Sequence, residues 1–444
     1  MTPPDLAQLQ RTLPPERVAE AMRQATVLVD GKYLHWDNLR HRQPPAGLTV
    51  EEWWFAIRFS RTFAREHLPL LDKTGHAFSF VYAAPIREGL HRVDQSLGTT
   101  GPAARPAPVQ DLVDTHGRKY LLANSLMEEA IRSSQLEGAS TTRAKAKDMI
   151  RDRRPPRDKS ERMILNNYIA MERIEQLASE RLSEDVVFEL HRLLTDGTLA
   201  DPSKAGAFRE ARDDIVVELL HSTETAHVPP AAGELPERLT RLLAFANGET
   251  PAEWLHPVLR AITLHFMIGY DHPFVDGNGR VARALFYWAM LRHGYPLTKF
   301  LSISRVLREA PTQYARAYLY TETDGSDLTY FIEHQIQVID RSVEALAEYV
   351  TRKVSATRAI EAELRTSSLN HRQIALLGHA LRHPGFEYTI RSHETSHGVV
   401  TNTARADLEE LVRIGLLLKS KAGRRHVYIA PRDLEERVLR FRSN

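Results

Sequence analysis

The chain has 444 residues, of which 42% are hydrophobic and 26% charged, a composition that suits a soluble protein of roughly two to four domains with a sizeable core. Its 59 Lys and Arg against 57 Asp and Glu leave a formal charge of +2, so no whole-chain field draws it to nucleic acid or to an anionic membrane. The absence of cysteine excludes disulfides, Cys-ligated zinc or iron–sulfur clusters and thiol catalysis.

The start, "MTPPDLAQLQRTLPPERV", is polar and interrupted by prolines, and no run approaches the roughly twenty apolar residues of a membrane span, so a cytoplasmic protein with no membrane partner is expected. Residues 1–110 read as an N-terminal helical segment. In it "LTVEEWW" begins a helix with Thr49 as N-cap and Glu52 as capping-box partner, and Trp36, Trp53 and Trp54 fill a small core. The stretch "GTTGPAARPAPVQ", Gly98 to Gln110, is a break. From about Lys119 to Val350, apolar residues recur at three- and four-residue steps, which predicts a helical domain over 111–350, with "RDRRPPRDKS" as a basic loop. Within it, "GAFREARDDIVVELLHSTETAHVPP" (206–230) has β-branched residues around Ile215 to Val217, a polar turn and a Pro-Pro stop, which predicts a short β-hairpin. A long helix is expected from about Pro251 to Tyr270 and another from near Gly279. The last segment, 355–444, holds 15 Lys or Arg and 10 Asp or Glu, a charge of +5 against −3 for the remainder. Its order of helix at "NHRQIALLGHAL", helix near "TNTARADLEELVRIG" and hairpin in "LLLKSKAGRRHVYIA" is a winged-helix outline. The expected class is therefore mainly α, with a helical core, one short hairpin and a C-terminal winged helix.

Chemistry concentrates in "HPFVDGNGRVAR", residues 272–283, a loop that feeds a helix N-terminus. Gly277, Asn278 and Gly279 make an anion nest there, the glycines permitting close approach to unpaired N–H groups. Arg280 and Arg283 sit one turn apart and suit phosphate oxygens. Asp276 can hold Mg²⁺ against the same phosphates, and a neutral His272 can take the proton of an attacking hydroxyl. Phe274 is expected to be buried and to pin the loop. Without Gly-Lys-Ser/Thr, a Walker-type NTPase is disfavoured.

"HPFVDGNGRVAR" resembles the Fic family signature HxFx(D/E)GNGRxxR at every fixed position. "LHPVLRAITLHFMIGYDHPF" resembles the helix leading into it, "GAFREARDDIVV" with "HVPP" the family's flap, and "NNYIAMERI" an earlier core helix, so the likeness spans about 119–350. The resemblance implies an all-α fold that transfers AMP from ATP to a protein hydroxyl and releases pyrophosphate. It makes His272 the general base and Asp276 the Mg²⁺ ligand. Gly277, Asn278 and Gly279, with the amides of Val281 and Ala282 following, become the phosphate nest, Arg280 a β-phosphate contact and Arg283 a γ-phosphate contact. "SSQLEG" resembles the family's inhibitory motif, on a helix at about 119–138. Ser133 and Glu137, spaced i, i+4, share a helix face that Gly138 can end. The resemblance implies that Glu137 pairs with Arg283 and displaces the γ-phosphate. It also makes the flap, with Asp213, Asp214, Ile215, Val216 and Val217, the place where a target protein lies as an added strand. Tyr314 is open between a nucleobase pocket and the core.

Alternatives remain at this level. With Glu137 orienting water, the same site could hydrolyse AMP from a modified protein, or it could take another phosphate-containing donor. The tail offers "TNTARADLEEL" as a recognition helix and "KSKAGRR" as a wing for DNA, the reading of a DNA-binding regulator. The tail and the N-terminal segment are left to target choice, homodimerisation or both.

Overall fold

The computed structural model describes residues 2–98, 115–218, 225–365, 367–383, 386–422, 425–431 and 433–442. Two compact units result, one of residues 1–104 and 125–343, the other of 105–124 and 344–444. The expected break over 98–110 falls, after Gly98, outside the described residues.

The first unit begins with helices α1 (Leu6–Thr12), α2 (Pro15–Arg23), α3 (Trp36–Leu39) and α4 (Val50–Ala64). The capping box holds: Thr49 accepts from the Glu52 N–H and the Glu52 carboxylate from the Thr49 N–H. Trp36, Trp53 and Trp54 are buried with Leu39 and Ile57 as a core of their own. This segment is not helical throughout. Strands β1 (Arg65–Leu71) and β2 (Ala77–Val81) form an antiparallel hairpin that apolar periodicity does not announce. Its signal is the turn: the Asp72 carboxylate accepts the N–H groups of Thr74 and His76, and Gly75 takes φ +86. Helix α5 (Ala84–Leu97) follows.

The helical core carries α6 (Thr115–Leu136), α7 (Arg143–Arg151), α8 (Lys159–Leu177) and α9 (Glu184–Thr195). The hairpin β3 (Val217–Glu218) and β4 (Thr225–His227) comes next, then α10 (Leu235–Ala246). Helices α11 (Pro257–Asp271) and α12 (Asn278–Arg292) flank the signature loop and are followed by α13 (Ile303–Glu309), α14 (Pro311–Thr323) and α15 (Thr329–Arg365). α12 is buried on nearly every side, Phe286, Tyr287 and Trp288 included, because it packs against α8, α9 and α11. α11 starts at Pro257 rather than Pro251. His256 caps it by accepting the Val258 N–H, and Pro257 at the first position needs no partner for an N–H it lacks.

The second unit holds α16 (His371–Arg382), β5 (Glu387–Tyr388), α17 (Ile390–His397), α18 (Thr401–Arg413), β6 (Leu418–Ala422), β7 (Arg425–Ile429) and α19 (Leu434–Arg442). The strands form one antiparallel sheet in the order β5-β7-β6 over a core of Leu376, Leu377, Leu408, Leu411 and Tyr428. β5 and α17 go beyond the helix–helix–hairpin reading. "IRSHETSH" has one apolar residue and no period to read, and its capping box at Thr389 and Ser392 is what marks the start.

Candidate functional site

The loop between α11 and α12 is built to hold a shape. His272 closes α11 in the left-handed region at φ +46, its N–H donating to the Ile268 carbonyl, and Gly277 turns the chain into α12 at φ +88. Between them Phe274 is fully buried and stacks on the His191 ring at 3.8 Å. The Asn278 side chain clamps the same residue, accepting the Phe274 N–H at 2.9 Å and donating to its carbonyl at 2.8 Å. That side chain is used up within the loop, so the phosphate role the resemblance gives Asn278 reduces to its backbone N–H.

Two residues that the sequence does not single out brace the loop. His191 accepts the Gly206 N–H at Nδ1 (2.8 Å) and donates from Nε2 to the Asp276 carbonyl (2.9 Å). These partners require one neutral tautomer, and burial pushes its pKa down to about 4. Arg209 donates to the His272 carbonyl at 2.8 Å, to the Pro230 carbonyl at the end of the hairpin, and to the Asp271 carbonyl. A lone histidine in a helix and one arginine among 59 basic residues carry no local signal of such roles.

The acid–base chemistry is similarly set by partners. His272 Nδ1 lies 3.1 Å from the Gly269 carbonyl, which can only accept, so Nδ1 holds the proton and Nε2 is left as a base. Burial lowers the His272 pKa, keeping the imidazole neutral at pH 7. Asp276 is half exposed. Its Oδ1 accepts the Gly277 N–H (2.5 Å) and Arg280 Nη2 (3.2 Å), while its Oδ2 makes no hydrogen bond among the described residues. No cluster of three metal-ligating side chains exists among the described residues, so a cation here would draw its other ligands from phosphate oxygens and water.

The two arginines differ. Arg280 is 1% exposed, and its Nη1 donates to the Leu194 carbonyl at 2.9 Å, which ties α12 to α9. Arg283 reaches α6: Nε donates to Ser133 Oγ (2.9 Å), and Nη2 to the Ser133 carbonyl (3.2 Å) and Glu137 Oε1 (2.9 Å). Burial is the largest single influence on Arg283 and opposes its charge, but Glu137, Tyr314 and Glu129 together outweigh it and the pKa is raised. α6 ends as expected, with Gly138 at φ +92 and the Ala139 N–H returning to the Ser134 carbonyl. It is anchored by Glu129, which is buried and accepts the Ser302 hydroxyl, the Ser304 hydroxyl and the Ser304 N–H. A Cβ added to Gly279 would run into the Glu137 carboxylate, so a side chain there would have to push that carboxylate off its place beside Arg283.

Of the nest amides, those of Asn278, Gly279 and Arg280 precede the first intrahelical bond. The Val281 N–H already donates to the Gly277 carbonyl, and Val281 and Ala282 are fully buried, which removes both from the nest. Tyr314 bonds His265 Nε2 at 2.8 Å among the rings of Tyr318, Phe331 and His334, close enough to Arg283 to interact electrostatically. In the flap, Asp213 ends a 3-10 turn and Asp214 is left-handed at φ +42, so the strand begins at Val217, not at Ile215. Val216 is exposed, and Val217 pairs with His227, which is itself held to the Tyr270 carbonyl at 2.7 Å. Residues 219–224 of the flap lie outside the described residues.

Residues 181–290 match the Fic/DOC family. The chain is 32% identical over 166 residues to the protein adenylyltransferase Fic of Drosophila willistoni, covering 36% of this chain and 31% of that protein. It is 31% identical to the Drosophila melanogaster protein of the same name over the same length. The chain thus matches about a third of the length of these relatives. A crystal structure of a Fic family protein from Desulfovibrio desulfuricans shares the fold at TM-score 0.50 and 18% identity, covering 80% of this chain and 98% of that one.

Proposed function

We propose that this chain, whose residues 181–290 match the Fic/DOC family, transfers AMP from ATP to a hydroxyl of a target protein, and that Glu137 holds this activity off. The observation that carries the transfer is a neutral His272 with a free Nε2 beside a helix start that bears open amides and two buried arginines.

In this reading the target hydroxyl oxygen attacks the α-phosphorus while His272 Nε2 takes its proton. The bond from the α-phosphorus to the α–β bridging oxygen breaks, and pyrophosphate leaves. The amides of Asn278, Gly279 and Arg280 receive the phosphate oxygens, and Arg280, fixed by Leu194, adds charge without moving. Asp276, with one oxygen uncommitted, is the carboxylate that would hold Mg²⁺, whose charge offsets that of the phosphates. Arg283 is the γ-phosphate contact and is committed to Ser133 and Glu137 in this structure, which supports autoinhibition. A target strand would pair beside Val217 of the flap, and Arg209 keeps flap and base in register because it holds both Pro230 and His272.

Incubating the full chain carrying Glu137→Gly and a lysate with ATP labelled at the α-phosphate tests this. Label should appear on protein and vanish when His272→Ala is added to that variant; label that persists in the double variant refutes the assigned base. If label instead leaves a pre-modified protein, the hydrolytic direction is the correct one.

A further inference from the structure

The second unit holds none of the residues to which the AMP-transfer reading gives a role. α17 and α18 are joined by three residues, Gly398, Val399 and Val400, with Gly398 left-handed at φ +62. This is the connection of a helix-turn-helix, and with α16 before it and the sheet β5-β7-β6 around it the arrangement is that of a winged helix. α18 buries Ala404, Asp407, Leu408 and Leu411, a three- and four-residue rhythm that turns Thr401, Asn402, Arg405 and Ala406 outward.

Charge on this face is sorted. Every acid of α18 is taken by a neighbour: Asp407 by Arg372, Asn370 and His393, Glu409 by Lys419 and the Tyr428 hydroxyl, Glu410 by Arg413. Arg405, Arg391 on α17 and Lys421 on the hairpin are exposed and make no ion pair among the described residues. The leading end of α18 therefore offers Asn402 and Arg405, side chains that hydrogen-bond base edges, while the Thr401 hydroxyl is held by the Glu394 carboxylate of α17, with exposed Val400 beside them to meet a thymine methyl. A protein partner would call for a charge-poor apolar centre, whereas the described residues of this face present Arg391, Asn402, Arg405 and Lys421 to solvent.

We propose that this unit binds double-stranded DNA, with α18 in the major groove, Asn402 and Arg405 reading bases, and Arg391 and Lys421 on phosphates. The inference is independent of the AMP-transfer reading, because its readout needs no ATP.

The test is fluorescence anisotropy of the full chain with random-sequence duplex at low salt, joined to selection from a random duplex library. Binding should weaken steeply as salt rises. Arg405→Glu should lower affinity by roughly tenfold or more, Asn402→Ala should abolish the selected sequence preference, and Arg11→Glu, the same charge change on exposed α1, should leave both unchanged. Absence of binding at 50 mM salt (about 10³–10⁵ tighter than at 200 mM for such proteins) overturns the proposal. An equal loss for Arg405→Glu and Arg11→Glu overturns it too, since that would mean diffuse charge rather than α18.

Discussion

Replacing Glu137 by glycine should raise protein labelling from ATP, and the structure sets how far. The bond from Arg283 Nη2 to Glu137 Oε1, at 2.9 Å, is charge-assisted and joins an arginine that is 2% exposed to a carboxylate that is 25% exposed. Such bonds contribute about 1.5–3 kcal/mol, and 1.4 kcal/mol is tenfold in a population, so the ATP-competent orientation of Arg283 should gain roughly 10- to 150-fold. The partial exposure of Glu137 and the two remaining bonds to Ser133 put the expected rise near the lower end. Adding Ser133→Ala should raise it further. The same change strips a buried guanidinium of its counter-charge, so the variant without nucleotide should lose about 1–3 kcal/mol of stability, which ATP should restore. Labelling with α-phosphate-labelled ATP and thermal unfolding with and without ATP read both effects. Labelling no higher than wild type, together with an unchanged ATP-induced shift in Tm, would refute the argument that Glu137 and ATP compete for Arg283.

Because burial lowers the His272 pKa, the acid limb of kcat/KM should lie below the ordinary histidine value of about 6.5: the base stays unprotonated as pH falls through that value, and an inflection above it would contradict the buried, neutral assignment. Arg209→Ala removes a side chain, 7% exposed, from three carbonyls around the loop. Labelling should fall at least tenfold and stability by about 1–3 kcal/mol, with Arg209→Lys restoring little because one ammonium cannot span the three acceptors; full rescue by lysine would show that charge alone matters there. Gly277→Ala places a Cβ 2.9 Å from Thr195 Cγ2 at φ +88 and should cost about 1–3 kcal/mol; an unchanged Tm would mean that the loop can relax without this turn.

Much of the site was legible because its chemistry lies in twelve consecutive residues. "HPFVDGNGRVAR" brings a histidine, a carboxylate, a turn and two arginines together by local geometry alone, and "SSQLEG" puts Ser133 and Glu137 on one helix face at a four-residue step. The Thr49–Glu52 cap and the Gly138 helix end are equally local, and the structure has both. The hairpin at 65–81 was not legible from period, because its strands are short and only the Asp72 turn marks it.

Backbone propensity, capping and short-range spacing act within a few residues, so the sequence alone determines the helices and the local grouping of His272, Asp276 and the two arginines. Which of those groups stay unbonded depends on contacts between segments far apart in the chain. Asn278 is spent on Phe274, Arg280 is tied to Leu194, and Arg283 crosses 150 residues of chain to reach Ser133. His191 and Arg209, silent in the sequence, become the braces of the loop. The physical reason is burial: once water is excluded, every polar group must find a partner wherever the fold brings one, and spacing along the chain holds no record of that choice.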